Sequence, residues 1–268
     1  MKKIAVIVGG WHYPYHFYDK LNQMQIPNNA IVDKFVISHR SPDLDIVTKE
    51  KLKLDLGTNN TLLELDIELY SRIIKQSEIE EMNYTYVPAD NVAGDCYFVQ
   101  QWLWLYDYKQ YDYIYFFHDD NYIINDKLLV DVLDKKVEIH NVYNNRVEIN
   151  YDWLILYHST YGDTKTARGS FVAFNTKLFD IMPDFGLNNK FRLNRTNQVD
   201  TPAGHDAITD WNAIPRNIKG FIERANIEDK VFRISPIYRC SPYMFECERG
   251  FCQLAKLPFN LKYLKNVI

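Results

Sequence analysis

The chain has 268 residues, a formal net charge of −4, 47% hydrophobic and 25% charged residues, enough apolar material for one large domain or two tightly fused halves. Acidic and basic residues are interspersed without a basic block, which excludes the electrostatic footprint of a nucleic-acid binder or of a protein drawn to an anionic membrane. No apolar run approaches the ~20 residues that cross a bilayer.

Residues 4–8 form a short apolar run after Met1-Lys2-Lys3 and pass straight into Gly9-Gly10-Trp11-His12. The run is too short for a signal peptide and has no cleavage pattern, so a first strand buried on both faces is expected. The four cysteines, Cys96, Cys240, Cys247 and Cys252, include no CxxC pair. Zinc is unsupported, and reduced thiols of a cytoplasmic protein are expected. The 20 tyrosines would suit sugar stacking, but a bias toward Tyr and Asn in composition explains them as well.

Residues 31–38 are a second buried strand, ending in His39-Arg40-Ser41-Pro42-Asp43. A helix is expected over 62–75 and a strand over 83–87. The clearest helix follows: Phe98, Val99, Trp102, Leu103 and Tyr106 repeat on one helical face. Asp90, Asn91 and Gly94 stand upstream as cap and turn residues. Residues 111–117 read as a strand stopping at His118-Asp119-Asp120-Asn121, and Leu128, Leu129, Val132 and Leu133 mark another helix. Strand material is expected within 146–157, over 168–175, and late in the chain over 230–238 and 242–247. Residues 184–204 have no periodicity, as in a lid or a mobile loop. A helix starts at 205–211.

Alternating strands and helices imply an α/β fold, an αβα sandwich around a mainly parallel sheet, with a ligand crevice at the carboxyl ends of the strands. The polar clusters at Gly9-Gly10, residues 39–43, Asp90-Asn91 and Asp119-Asp120 all fall at such ends. Two adjacent acids directly after a buried strand resist joint ionisation unless a positive charge compensates, and a divalent cation is the usual compensation. Simple capping of the next loop is the competing explanation.

His118-Asp119-Asp120 after a buried strand resembles the DxD motif of GT-A glycosyltransferases, in a form similar to one in their large inverting family of polysaccharide transferases. The resemblance implies a single domain over 1–268, with a nucleotide-sugar-binding half (1–121) and an acceptor-binding half (122–268). It implies Mn²⁺ or Mg²⁺ held by Asp120, with Asp119 a second ligand or a neighbour of the sugar or ribose. His118 departs from the pattern by standing where a first Asp often stands. Asp90-Asn91-Val92-Ala93-Gly94 resembles the family's Asn-x-Gly segment, with the glycine one position late, and Asn91 would help shape the nucleotide pocket. Gly9 and Gly10 would line the loop that cradles the base, Asp43 would accept from a base N–H, and His39 or Arg40 would approach the ribose or phosphates. Arg168-Gly169-Ser170-Phe171-Val172-Ala173 resembles the Gly-Ser-x-x-Ala segment beside donor and acceptor, which places Gly169 and Ser170 there.

Gly204-His205-Asp206 occupies the place of the family's acidic pair, so Asp206 would deprotonate the acceptor hydroxyl. Helix capping by Asp206, and a core strand entered by a turn at Gly169, account for the same residues without chemistry. The implied partners are a nucleoside diphosphate sugar and a glycan or other hydroxyl acceptor. A nucleotidyltransferase would need a longer basic Gly-rich loop after the first strand than residues 9–13 supply. A non-catalytic carbohydrate- or nucleotide-binding protein of transferase ancestry is the reading left if the acids prove dispensable.

Overall fold

The computed structural model describes residues 1–10, 13–38, 72–89, 95–119, 121–123, 126–134, 139–141, 146–148, 152–158, 171–181, 225–234 and 238–240. The eleven strands among them are β1 (Lys2–Gly10), β2 (Ala30–Ser38), β3 (Thr85–Pro88), β4 (Tyr113–His118), β5 (Asn121–Ile123), β6 (Ile139–Asn141), β7 (Arg146–Glu148), β8 (Ile155–His158), β9 (Phe171–Asn175), β10 (Val231–Ile234) and β11 (Tyr238–Cys240). The helices are α1 (Tyr15–Gln23), α2 (Gln76–Glu81), α3 (Asp95–Leu105), α4 (Leu128–Leu133) and α5 (Lys177–Ile181).

Nine strands form one sheet in the order β3-β2-β1-β4-β9-β8-β10-β6-β7. The four strands β3, β2, β1 and β4 run parallel to one another. β9 runs antiparallel between β4 and β8, β10 is parallel to β8, and β6 reverses again before β7. Seven strands therefore point one way and two, β9 and β6, the other. The mainly parallel sheet expected from the alternating pattern is present, with two reversed strands that the pattern does not announce. Strands from both halves of the chain share this sheet.

The continuous apolar run of β1 reflects a central strand covered on both sides. Ile4, Val6 and Val8 face a core shared with α1, α2 and α4. Ala5 and Ile7 face a second core shared with α3 and α5. β4 divides likewise: Tyr115 and Phe117 point to the first core, Ile114 and Phe116 to the second. The result is an αβα sandwich. On α3, Val99 and Trp102 are buried as the helical period requires. Trp102 stacks on Tyr106 and meets Phe35 and Tyr111 edge-on.

Two expectations change. Residues 72–75, the end of the expected helix over 62–75, are not helical; the rest of that span lies outside the described residues. Ile73 makes an isolated antiparallel bridge to Pro14. The Tyr15 N–H donates to the Arg72 carbonyl and the Ile74 N–H to the Tyr13 carbonyl. These tertiary bonds use the backbone groups a helix would have paired internally. The glycines 9 and 10 do not form a turn after the first strand but are its last two residues, paired with Ile37 and Ser38 of β2. The helix α1 has no counterpart in the sequence reading.

The register brings the strand ends together. Gly9 sits opposite His118 and Gly10 opposite Ser38, while Ser38 is opposite Pro88. Because β9 is antiparallel, its first residue Phe171 pairs with Phe117 near the end of β4. The end of β8, His158, pairs with the same Phe171. A separate two-stranded sheet joins β11 to β5, with Cys240 opposite Asn121. Late chain is thereby tied beside the segment that follows Asp119.

Candidate active site

The edge where β1, β2, β3 and β4 end is organised around Asp119 and Tyr13. Asp119 follows β4, and its N–H continues the ladder by donating to the Gly9 carbonyl at 3.2 Å. Strand alternation turns its side chain toward the first core, where the residue is 2% exposed. One carboxylate oxygen, Oδ2, accepts from the Tyr13 backbone N–H at 2.8 Å and from the Tyr18 hydroxyl at 3.2 Å. Burial, then the negative charge of Asp119, push the Tyr18 hydroxyl well above its ordinary range. Tyr18 stays protonated and remains a donor at any physiological pH.

Tyr13 has φ 56°, left-handed backbone that a bulky residue adopts at a cost of about 1–3 kcal/mol. It is held on every side. Its carbonyl accepts from Ile74 N–H at 2.9 Å. Its hydroxyl donates to Ser38 Oγ at 2.6 Å and lies 3.1 Å from the Tyr86 hydroxyl. Its ring meets those of Tyr18 and Tyr86 edge-on. Tyr18 is itself fixed by edge-on contacts with Phe17 and Tyr84, and Tyr84 donates to its carbonyl.

The two glycines serve the two faces of the sheet. A Cβ on Gly10 would lie 2.8 Å from Val36 Cγ1 and 3.0 Å from the Tyr18 hydroxyl. The bare backbone there leaves Tyr18 room to reach Asp119. A Cβ on Gly9 would meet the Phe116 and Phe98 rings at 3.2 Å on the opposite side. His118 lies on that side too, edge-on to Phe116 and Phe98. Adjacent residues of one motif thus serve opposite faces: Asp119 faces the tyrosines and His118 the phenylalanines.

Of the residues singled out from the sequence, Gly9, Gly10 and Asp119 are brought together at this edge. His39, Asp43, Asn91, Asp120, Gly169, Ser170 and Asp206 lie outside the described residues. In the chain His39 directly follows Ser38, and Asp120 directly follows Asp119. Ser170 directly precedes Phe171. Tyr13, Tyr18, Ser38 and Tyr86 are absent from the sequence reading. Nothing local marks them apart from the abundance of tyrosine, and a left-handed tyrosine carries no sequence signature. Among the described residues no three His, Cys, Asp or Glu side chains cluster as a metal site. No described helix is long and apolar enough to cross a membrane.

No family model matches the sequence, and no curated protein matches it. Among solved structures, S. aureus TarS 1-349 aligns with 100% of this chain and 69% of its own, at 13% identity and a TM-score of 0.38. TarS 1-349 in complex with UDP-GlcNAc aligns over 67% of this chain and 47% of that one, at 11% identity and a TM-score of 0.33. The glycosyltransferase GlyE of Streptococcus pneumoniae TIGR4 aligns over 72% of this chain and 37% of its own, at 11% identity and a TM-score of 0.31. Scores of this size decide neither family nor chemistry.

Proposed function

We propose that the chain is a glycosyltransferase of the GT-A type, moving a sugar from a nucleoside diphosphate to a hydroxyl of a glycan or other acceptor. The observation that supports the reading is the register of the sheet. Ser38, Gly10, His118 and Phe171 fall on one edge, so the segments beginning at His39, following Asp119 and ending at Ser170 all meet the chain there. In an α/β sheet this carboxyl edge is where ligands bind. Segments of the sequence that resemble the donor-binding motifs thus adjoin a single crevice edge, although they are far apart along the chain.

In this reading His39 and Asp43 contact the nucleoside, and Asn91 shapes its pocket. Gly169 and Ser170 lie by the sugar. Asp120 is the residue we assign to Mn²⁺ or Mg²⁺, which when bound would neutralise charge on the diphosphate. Asp206 accepts the proton of the acceptor hydroxyl, whose oxygen attacks the anomeric carbon from the face opposite the leaving diphosphate, inverting its configuration.

The test is thermal stability of the full chain against a panel of nucleoside diphosphates and nucleotide sugars, with and without Mn²⁺. A ligand that binds the folded state alone raises Tm by mass action. A Tm rise for one nucleotide, requiring Mn²⁺ and lost in Asp120→Asn, is the expected result. No shift with any nucleotide at millimolar concentration in folded protein overturns the reading.

A further inference from the structure

We infer that Asp119 is a positioning residue: its carboxylate locks Tyr13 and, through it, the entry to α1 at this edge of the sheet. The inference rests on the reading of this edge as a nucleotide-sugar site, and it divides the acidic pair by task. Asp120 is left for the cation, while Asp119 holds the wall.

Four observations converge on it. Asp119 is buried, and its Oδ2 already serves two donors, the Tyr13 N–H and the Tyr18 hydroxyl. Tyr13 occupies left-handed backbone, so something must hold it there, and a carboxylate accepting a backbone N–H makes a charge-assisted bond stronger than a neutral one. Tyr13 connects four separate parts of the chain: Asp119 after β4, Ser38 at the end of β2, Tyr86 in β3 and the backbone of Ile74. Finally, Gly10 has no Cβ where one would crowd the Tyr18 hydroxyl, so the packing of β1 preserves the second bond to Asp119. Gly10 at the end of β1 and Tyr13 before α1 are consequently both held, Tyr13 by the Asp119 carboxylate.

The experiment uses the full chain and the variants Asp119→Asn, Asp119→Ala and Tyr18→Phe, with Asp120→Asn for comparison. Amide hydrogen exchange by NMR, without ligand, reads the lock directly. Expected is a loss of protection at the Tyr13 amide of about tenfold or more in Asp119→Ala, the equivalent of one hydrogen bond to a charged group. A smaller loss is expected in Asp119→Asn and Tyr18→Phe, with the amides of β1 and β4 unchanged. Titration with Mn²⁺ alone reads the other role. Affinity should stay within about twofold of wild type in Asp119→Asn and Tyr18→Phe, and fall in Asp120→Asn. Unchanged protection of the Tyr13 amide in both Asp119 variants overturns the inference. So does a Mn²⁺ affinity that falls about tenfold in Asp119→Asn while Tyr18→Phe leaves it intact. If Asp119→Ala does not fold, Asp119→Asn and Tyr18→Phe still decide. If wild type binds neither Mn²⁺ nor any nucleotide, the functional reading fails, and exchange at Tyr13 separately decides whether Asp119 is the lock.

Discussion

Two buried tyrosines on the same face of the sheet show how context sets the worth of a hydroxyl. The Tyr18 hydroxyl donates to a carboxylate. The Tyr115 hydroxyl, buried among Tyr113 and Phe171, has no hydrogen-bond partner among the described residues. A buried hydroxyl without a partner costs about 1–3 kcal/mol relative to water. Tyr115→Phe is therefore expected to leave stability unchanged or raise it by up to about 1 kcal/mol in urea unfolding. A loss larger than about 1 kcal/mol would show that the hydroxyl is bonded. A compositional bias toward Tyr and Asn accounted for the tyrosines in the sequence, and for Tyr115 that explanation still suffices. For Tyr13 and Tyr18 it does not, because their value depends on Asp119, more than a hundred positions away. No local reading pairs residues at that separation.

Among the elements, β1 was the most legible and the most easily misread at its end. Its apolar run predicted a doubly buried strand, and the strand is there with alternate residues in two cores. The glycine pair looked like punctuation, since a turn and a close packing contact leave the same residues in the sequence. The surroundings separate the two cases. Gly10→Ala would place Cβ 2.8 Å from Val36 Cγ1, so overpacking of about 1–3 kcal/mol is expected, together with displacement of the Tyr18 hydroxyl. Gly9→Ala meets aromatic rings at 3.2 Å and should cost less. The ranking can be read from Tm of the two variants; equal losses would remove the special role given to Gly10. The strong helical period around Trp102 was correct because one face of α3 meets a continuous core. The weak period over 62–75 failed at its end, where the backbone of residues 72–74 pairs with that of residues 13–15.

At the scale of the molecule, the sheet is also fastened at the edge away from the crevice. The Asp112 carboxylate, just before β4, accepts from Lys2 Nζ and from the Lys3 N–H, both at 2.8 Å. Burial by itself would raise this carboxyl, but the Lys2 hydrogen bond, the Lys3 amide and the Lys2 charge together bring it below its ordinary value. A lowered folded pKa adds stability that is present above the unfolded pKa, near pH 4, and is lost as pH falls through the folded value. Asp112→Asn should accordingly lower Tm at pH 7 and converge with wild type as the pH falls through the lowered folded value of this carboxyl. A Tm difference that persists unchanged through acid would mean that Asp112 contributes by packing and not by charge.

The amino-acid sequence by itself determined the class of fold, since alternating buried strands and amphipathic helices close into an αβα sandwich, and periodicity is a local property. It also determined which strand ends are polar, and hence where to look for a site. The reversal of β9, which carries the chain after Ser170 to the same edge as Asp119, was decided by tertiary structure. So was the left-handed Tyr13, and so were the partners that Asp119 and His118 meet on the two faces to which strand alternation turns them. Each depends on strands that are neighbours in the sheet and distant in the chain, where burial and hydrogen bonding between separate elements outweigh any preference carried by the local residues.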